Sequence, residues 1–372
     1  MFALTARRVL TGRHPASRCW VTVDPPLIVA VEPEPLPGAA RVDAGDADLI
    51  PGLVDLHSDC LEERARPRPT NVLPLRDALV DLDIELIAHG VTTHFLCVAL
   101  IDDEAKNRTL ERAVEIVDAL EDLRGGLRAD HWVHLRVELT GDGVDTVEAL
   151  AAREVVRMVS YMDHTPGQGQ FSDEAVYRAY YAGGDNLETS LQLRYERQDR
   201  IEPARHAVAS ATHAGGAVLA AHDDDSEDAI VRGILLGVRV SEFPVTAQAA
   251  KAAHDAGIGV VMGAPNARRG TSHMANLSAR EALASGWLDA LASDYHPPSM
   301  LAGAYLLAAE PNVGWPRAVG LVTAGPARLA GLADRGVIAP GQRADLVAIG
   351  QRAGRPVALQ TWVAGRPVLG AL

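Results

Sequence analysis

The segment Pro51-Gly-Leu-Val-Asp-Leu-His-Ser-Asp59 has the pattern of an apolar strand that begins after a Pro-Gly turn and ends in polar side chains. Side chains along a strand alternate between its two faces, so Asp55, His57 and Asp59 share one face. His57 and Asp59 lie two residues apart, where an imidazole nitrogen and a carboxylate oxygen can reach one divalent cation. A strand that simply ends in a polar loop is equally compatible with this segment alone.

The chain from about residue 51 to residue 335 alternates between strand-like and helix-like patterns. Glycines follow several of the helical patterns, as expected at left-handed helix ends. Eight alternating units predict a (β/α)₈ barrel. A doubly wound open sheet is the alternative, but the chain has no glycine-rich dinucleotide-binding turn. The strand candidates are residues 53–58, 91–98, 132–139, 155–163, 217–222, 239–245, 259–264 and 290–294.

Both ends of the chain contain short β-rich segments separated by Gly and Pro. Neither end has enough apolar residues for a core of its own. We therefore expect residues 1–50 and 336–372 to combine into one small β-sandwich domain beside a hydrolase barrel of residues 51–335.

Composition narrows the classes of function. Of the 372 residues, 48% are hydrophobic, which is enough for a large core. The chain has 35 Lys and Arg against 49 Asp and Glu, so its net charge is −14. A field of this sign disfavours nucleic acid and acidic membranes as partners. We expect a small-molecule substrate, and a phosphorylated one needs a pocket lined by basic residues or metal.

The cysteines and the apolar segments bear on the compartment. Cys19, Cys60 and Cys97 are widely spaced, which favours a reducing compartment and provides no thiolate zinc site. No run approaches the roughly 20 apolar residues of a membrane span, and the first residues lack the apolar core of a signal peptide. We expect a cytoplasmic protein and leave a homo-oligomer open.

Polar residues stand at the ends of several predicted strands, where the active sites of (β/α)₈ barrels lie. Each has a structural explanation when taken singly, because an Asp after a strand often caps a helix. Together, three His and three carboxylates match the ligands of two divalent cations, with Zn, Mn or Fe as candidates. These six residues are His57, Asp59, Glu138, His164, His222 and Asp294.

The carboxylates of this set suggest different roles. Glu138 can bridge two cations. A divalent cation lowers the pKa of water from about 15.7 towards about 7, and Asp294 is then the acceptor for the proton. We therefore expect Asp294 to be the catalytic residue.

Several motifs together resemble the amidohydrolase superfamily. They are the segment that ends in His57, the later strand-end histidines, Asp294 on strand eight and the closing segment 336–347. The resemblance implies a barrel with a terminal β-sandwich and metal-dependent hydrolysis. It also implies histidine ligands on strands five and six, whereas the strand count above places His164 and His222 on strands four and five.

A narrower resemblance rests on His57-Ser-Asp59, in which Asp replaces the second His of the usual His-x-His. With this motif the sequence resembles the diphosphatase family that acts on α-D-ribose 1-methylphosphonate 5-triphosphate in the carbon–phosphorus lyase pathway. That family releases pyrophosphate and leaves a 5-phosphate. The sequence departs from the family pattern at Cys60 and in the segment 296–299. The resemblance places both in loops around the substrate, so these differences bear on which substrate is bound more than on whether hydrolysis occurs. Further shared motifs are residues 135–139, 162–168, 222–224, 241–244, 263–266 and 293–295.

A triphosphate substrate requires cationic donors on the same rim. The candidates follow strands one, four and seven, and for the first of these loops a solvated surface is the alternative. Arg136 is expected to pair with Asp55 or another carboxylate as a supporting residue. The candidates for substrate binding are Arg64, Arg68, Gln168, Arg268, Arg269 and His273.

Two other functions stay open at this point. One fold hosts many chemistries, so a C–N bond hydrolase (a cyclic amidase, deacylase or deaminase) is the alternative enzyme. A catalytically silent barrel that serves as a subunit of an assembly is the alternative from another class.

Overall fold

A computed structural model describes residues 1–12, 14–17, 19–68, 70–102, 108–171, 173–182, 187–270 and 276–370, with residues 14–17 as backbone only. The strands are β1 (Phe2–Thr5), β2 (Arg8–Thr11), β3 (His14–Ser17), β4 (Trp20–Asp24), β5 (Leu27–Glu32), β6 (Ala40–Asp43), β7 (Asp48–Pro51), β8 (Leu53–Ser58), β9 (Val91–Leu100), β10 (Asp130–Glu138), β11 (Val156–Met162), β12 (Val218–His222), β13 (Val240–Glu242), β14 (Gly259–Gly263), β15 (Leu288–Ala292), β16 (Leu346–Arg352), β17 (Arg355–Val363) and β18 (Arg366–Leu369).

The helices are α1 (Leu61–Ala65), α2 (Leu75–Ala88), α3 (Leu110–Leu123), α4 (Val147–Ala151), α5 (Glu174–Tyr180), α6 (Leu187–Glu196), α7 (Ile201–Gly215), α8 (Glu227–Leu235), α9 (Ala247–Asp255), α10 (Ala264–Arg269), α11 (Ala279–Ala284), α12 (Ser299–Leu307), α13 (Gly314–Gly320) and α14 (Ala324–Leu329). Short 3₁₀ turns cover Arg124–Gly126, Asp142–Thr146 and Gln198–Arg200. Within the described ranges, no helix combines the length and the apolar character needed to cross a membrane.

Strands β8 to β15 form one eight-stranded sheet in sequence order, and all of their pairings are parallel. The last strand returns to the first through a parallel bridge between Ser58 and Asp294. The backbone N–H of Asp294 donates to the carbonyl of His57 at 2.9 Å. The predicted (β/α)₈ barrel is therefore confirmed. Because the strands are parallel, all of their carboxyl ends meet on one rim.

Two further sheets flank the barrel. One has the order β18-β17-β16-β7-β2-β3 and so combines both ends of the chain, and the other has the order β5-β4-β1-β6. Leu4, Val21, Leu49, Leu346 and Trp362 pack together in one buried apolar cluster. A β region built from both termini is thus confirmed as part of the fold class. The division at residues 50/51 and 335/336 stays a prediction.

Asp48 on β7 is a buried acidic residue that contacts several basic and polar side chains around this β region. Its side chain is buried and accepts hydrogen bonds from Arg7 at 2.8 Å, from Arg8 at 2.6 and 2.9 Å and from the Tyr305 hydroxyl at 3.0 Å. Burial acts to raise the pKa of the Asp48 carboxyl, but the hydrogen bonds from Arg8 and Arg7 outweigh it and hold the pKa below its ordinary value. The carboxylate therefore stabilises the fold in its ionised form.

We expect Asp48→Asn to lower the free energy of unfolding at pH 7 by about 1.5–3 kcal/mol, the usual range for hydrogen bonds to charged groups. The folded-state pKa is depressed, so this contribution is complete above the unfolded-state pKa of about 3.9 and is lost as the pH falls through the folded-state pKa. Urea denaturation between pH 3 and pH 8 measures it, with the exposed Asp118→Asn as the control. A difference between wild type and variant that grows in acid would contradict this assignment.

Candidate active site

The carboxyl-terminal rim of the barrel collects the polar residues that the sequence singled out. His57 lies near the end of β8, Glu138 ends β10 and His222 ends β12, while His164 and Asp294 each follow a strand by two residues. Counted from β8, the two later histidines belong to the fourth and fifth barrel strands. This agrees with the strand count from the sequence and differs from the usual five and six of the superfamily.

Of the four groups of possible cation ligands among the described residues, two contain a carboxylate that follows a barrel strand at this rim. The first consists of His57, Asp59 and Asp294, which offer one nitrogen or oxygen each within 4.8 Å of one another. The second consists of His164, His222 and Asp223 under the same limit. Imidazole and carboxylate are the donors that Zn, Mn and Fe accept. The rim therefore has the donors for a divalent cation.

The Nδ1 atoms of His57, His164 and His222 each face the side chain of a buried glutamate. The Nδ1 atom of His57 lies 3.1 Å from Oε1 of Glu242, and that of His164 lies 2.8 Å from Oε2 of Glu138. The Nδ1 atom of His222 lies 3.5 Å from Oε2 of Glu242. The hydrogen bonds of His57 and His164 favour the proton on Nδ1 and leave the Nε2 lone pair for a cation, as in histidine metal ligands generally, whereas Glu242 faces Nδ1 of His222 without a hydrogen bond. The residues therefore fit a metal.

Glu138 supports His164 rather than facing the gap between the two groups. Its Oε1 atom lies 2.9 Å from Nη1 of Arg194 and accepts from the Thr140 hydroxyl at 3.1 Å, while Oε2 faces His164. Burial would raise the pKa of this carboxyl, but Arg194 and His164 hold it far below its ordinary value. These contacts favour an orienting role over the bridging role that the sequence suggested.

Arg136 lies between the two groups. Its Nη1 atom donates to Oδ2 of Asp59 at 2.6 Å and its Nη2 atom to Nε2 of His222 at 3.1 Å. Burial raises the pKa of the Asp59 carboxyl, yet the nearby charges of Arg136 and His57 bring it far below its ordinary value. The carboxylate partner expected for Arg136 is thus Asp59. Asp55 instead accepts the Ser293 N–H at 2.9 Å.

Asp294 joins the last barrel strand to the first. Its carbonyl accepts the N–H of Asp59 at 2.7 Å, and its own N–H donates to His57. Burial, together with the charges of Asp59 and Asp223, raises the pKa of its carboxyl to about 6 against the opposing effect of His57. A carboxyl in this environment is able to accept a proton near neutral pH.

The residues expected at strand seven lie near this rim. Arg269 is exposed and donates to the Tyr295 hydroxyl at 3.1 Å, beside Asp294. Arg268 donates to the Ser299 hydroxyl at 3.3 Å. His273 lies outside the described residues.

The other three substrate candidates are placed differently. Gln168 donates to Asp163 and lines a cavity of about 50 Å³ that also touches His222. Arg64 pairs with Glu85 of α2 and donates to the Cys60 carbonyl at 2.6 Å, so its guanidinium is engaged away from the cation groups. Arg68 is exposed. Gln168 therefore shares a cavity lining with His222, whereas Arg64 is paired with Glu85.

Four site residues were missed by the sequence reasoning. Asp223 and Glu242 lie inside motifs used for the family resemblance, but alternation gives no reason to single them out. Arg108, whose Nη2 atom lies 4.0 Å from Oδ2 of Asp59, follows a stretch of sequence without hydrophobic periodicity. Arg194 lies on α6, far from Glu138 in sequence. Only packing brings these side chains to the rim.

The chain is similar to known proteins over most of its length. The amidohydrolase family matches residues 49–368. The chain is 39% identical over 310 residues to α-D-ribose 1-methylphosphonate 5-triphosphate diphosphatase of Escherichia coli (strain K12), a match that covers 80% of this chain and 82% of that enzyme.

Solved structures share the same architecture. Dihydropyrimidinase from Brevibacillus agri NCHU1002 superposes with a TM-score of 0.68 at 14% identity, over 99% of this chain and 95% of the other. N-acetyl-D-glucosamine-6-phosphate deacetylase from Mycobacterium smegmatis superposes with a TM-score of 0.66 at 18% identity, over 99% and 100%. At these sequence identities the two structures show a shared fold and no more.

Proposed function

The chain belongs to the amidohydrolase family, and within it we propose that this protein is a metal-dependent diphosphatase. Its substrate is α-D-ribose 1-methylphosphonate 5-triphosphate or a related 5-triphosphate, which it hydrolyses to the 5-phosphate and pyrophosphate in phosphonate metabolism. The observation that carries the proposal is the set of three carboxylate-backed imidazoles beside two arginines, Arg136 and Arg108, on one rim. The relative in Escherichia coli supports the choice of substrate.

We assign two cations, with Zn as the first candidate and Mn or Fe as alternatives. His57, Asp59 and Asp294 would hold one of them, and His164 and His222 the other. When bound, such cations would lower the pKa of water so that hydroxide is available at neutral pH, and they would neutralise the charge of phosphate oxygens. Glu138 and Glu242 keep the imidazoles in the orientation and tautomer that this requires.

The chain's own residues accept the proton and neutralise the leaving group. Asp294 takes the proton that water loses as it attacks phosphorus. The phosphorus attacked is the α-phosphorus: its bond to the oxygen that bridges it to the β-phosphorus breaks, and the pyrophosphate leaves with the electron pair. Its negative charge requires cations in a site that excludes water. Arg136 and Arg108 already lie within 4.0 Å of Asp59, and Arg269 adds an exposed guanidinium at the mouth.

Product analysis on the purified full-length chain tests the proposal. The metal-free protein is reloaded with Zn, Mn or Fe and incubated with a series of 5′-triphosphates, and pyrophosphate and inorganic phosphate are measured separately. We expect pyrophosphate and a monophosphate in equal amounts. The same preparation is offered N-acetyl sugars and cyclic ureides. Turnover of an amide without any pyrophosphate from a triphosphate would favour the C–N bond hydrolase instead.

We expect Arg269→Ala to raise KM for a triphosphate roughly tenfold, because a charged hydrogen bond of about 1.5 kcal/mol is lost, and to change kcat little. Steady-state kinetics on the reloaded enzyme measures both constants. Arg328→Ala is the matched control, because Arg328 pairs with Asp289 at the opposite end of the last barrel strand. Equal KM values in wild type and Arg269→Ala would remove Arg269 from the substrate pocket.

A further inference from the structure

We infer that Asp223 is a metal ligand and completes the second cation site with His164 and His222. This inference rests on the proposed metal-dependent function. Its Oδ2 atom lies 3.7 Å from Nε2 of His164 and 3.7 Å from Nε2 of His222. Ligand atoms about 2.1 Å from a tetrahedral Zn are about 3.4 Å apart. The two measured distances are close to this separation, and the ligand atoms of the three residues all lie within 4.8 Å of one another, so the group can hold one cation.

The backbone at Asp223 explains how two neighbouring residues serve one site. Consecutive side chains on a strand point to opposite faces, so His222 and Asp223 would diverge if β12 continued. Instead Asp223 has a left-handed φ of 58°, a conformation uncommon for residues other than Gly and often associated with functional sites. Its N–H is held by the carbonyl of Glu242 at 2.9 Å. Asp294 adopts the same φ of 58° after the last barrel strand.

Asp223, Asp224 and Asp225 are consecutive, and they differ in their hydrogen bonds. The Oδ2 atom of Asp223 does not serve the fold as a hydrogen-bond acceptor. This atom is buried and has no hydrogen-bond partner among the described residues. Asp224 instead accepts the Ser241 hydroxyl at 2.5 Å, and Asp225 accepts the Gly169 N–H at 2.9 Å. A buried carboxylate oxygen without a partner is costly. A cation between Asp223 and the two imidazoles removes that cost.

Arg136 has to change one contact when this cation binds. Its Nη2 atom donates to the Nε2 lone pair of His222 at 3.1 Å, and a cation needs the same lone pair. Its bond to Asp59 through Nη1 at 2.6 Å uses the other guanidinium nitrogen. The bound state therefore keeps Arg136 on Asp59 and releases His222.

Metal binding to the full-length chain tests this assignment without relying on turnover. Metal-free wild type, Asp223→Asn and Asp225→Asn are titrated with Zn²⁺ by calorimetry, and bound Zn is counted by elemental analysis after desalting. Asparagine tolerates left-handed φ, so Asp223→Asn is expected to fold. We expect Asp223→Asn to lose one equivalent of Zn or to weaken it more than about 100-fold, beyond the range for residues that only orient a ligand. Asp225→Asn should match wild type.

Unchanged Zn stoichiometry and affinity in Asp223→Asn would overturn the assignment, even if wild type releases pyrophosphate. Loss of one equivalent in a wild type that releases no pyrophosphate would support the ligand and reject the proposed substrate class. Melting of the metal-free forms by circular dichroism checks the fold. If Asp223→Asn is unfolded, Asp223→Ser replaces it in the same titration, with the same two outcomes.

Discussion

Asp294→Asn is expected to lower kcat by about 10²–10⁴-fold, the range that general acid–base groups contribute. Asn keeps the shape of the side chain and tolerates the left-handed backbone of this position. It retains one carbonyl oxygen as a neutral donor to a cation, but it has no carboxylate to take the proton from water. The loss should therefore appear in kcat, while the backbone hydrogen bonds to His57 and Asp59 keep the rim closed.

Turnover and metal content are measured on the same Asp294→Asn samples, so that loss of the base is separated from loss of metal. Asp289→Asn is the matched control, because Asp289 is the second residue of the same strand and accepts the N–H of Val260 at 3.1 Å, at the end of the strand opposite the rim. A kcat within tenfold of wild type, at full metal content, would show that another group accepts the proton.

Glu242→Gln is expected to weaken the binding of both cations by about 10–100-fold each, the usual effect of removing a partner from a ligating histidine. Glu242 is fully buried and faces His57 through Oε1 and His222 through Oε2. The carboxylate hydrogen-bonds with Nδ1 of His57, and its second oxygen faces Nδ1 of His222 as a charge at 3.5 Å. An amide offers one oxygen and one NH₂ group, which only donates, so one of the two imidazoles must turn or change its tautomer.

Two measurements on Glu242→Gln distinguish this from general damage. Zn²⁺ titration should show weaker binding at both sites, whereas proton NMR should show the Nδ1–H signal of one histidine shifted or lost. Glu121→Gln is the control, because Glu121 lies on α3 and pairs with Arg153 at the surface. Wild-type Zn affinity in Glu242→Gln would mean that the carboxylate has no part in presenting His57 and His222.

The alternation of strand and helix patterns was sufficient to predict the barrel, because periods of two and of 3.6 residues are local properties of the chain. The position of His57, Glu138, His222 and Asp294 at one rim follows from the same reasoning, since parallel strands place their carboxyl ends together. The motif His57-Ser-Asp59 narrowed the family further. A local pattern thus determined the fold and which polar residues share the rim.

The contacts between those donors depend on side chains that come together only when the barrel closes. Nothing local predicts that Glu242 contacts His57, since 185 residues separate them, or that Arg136 on β10 pairs with Asp59 after β8, across the intervening strand β9. The left-handed turn at Asp223 interrupts the alternation on which the sequence argument relied. Tertiary structure therefore decided which carboxylates lie in the candidate cation groups and which contact an imidazole, because burial and three-dimensional distance set those contacts.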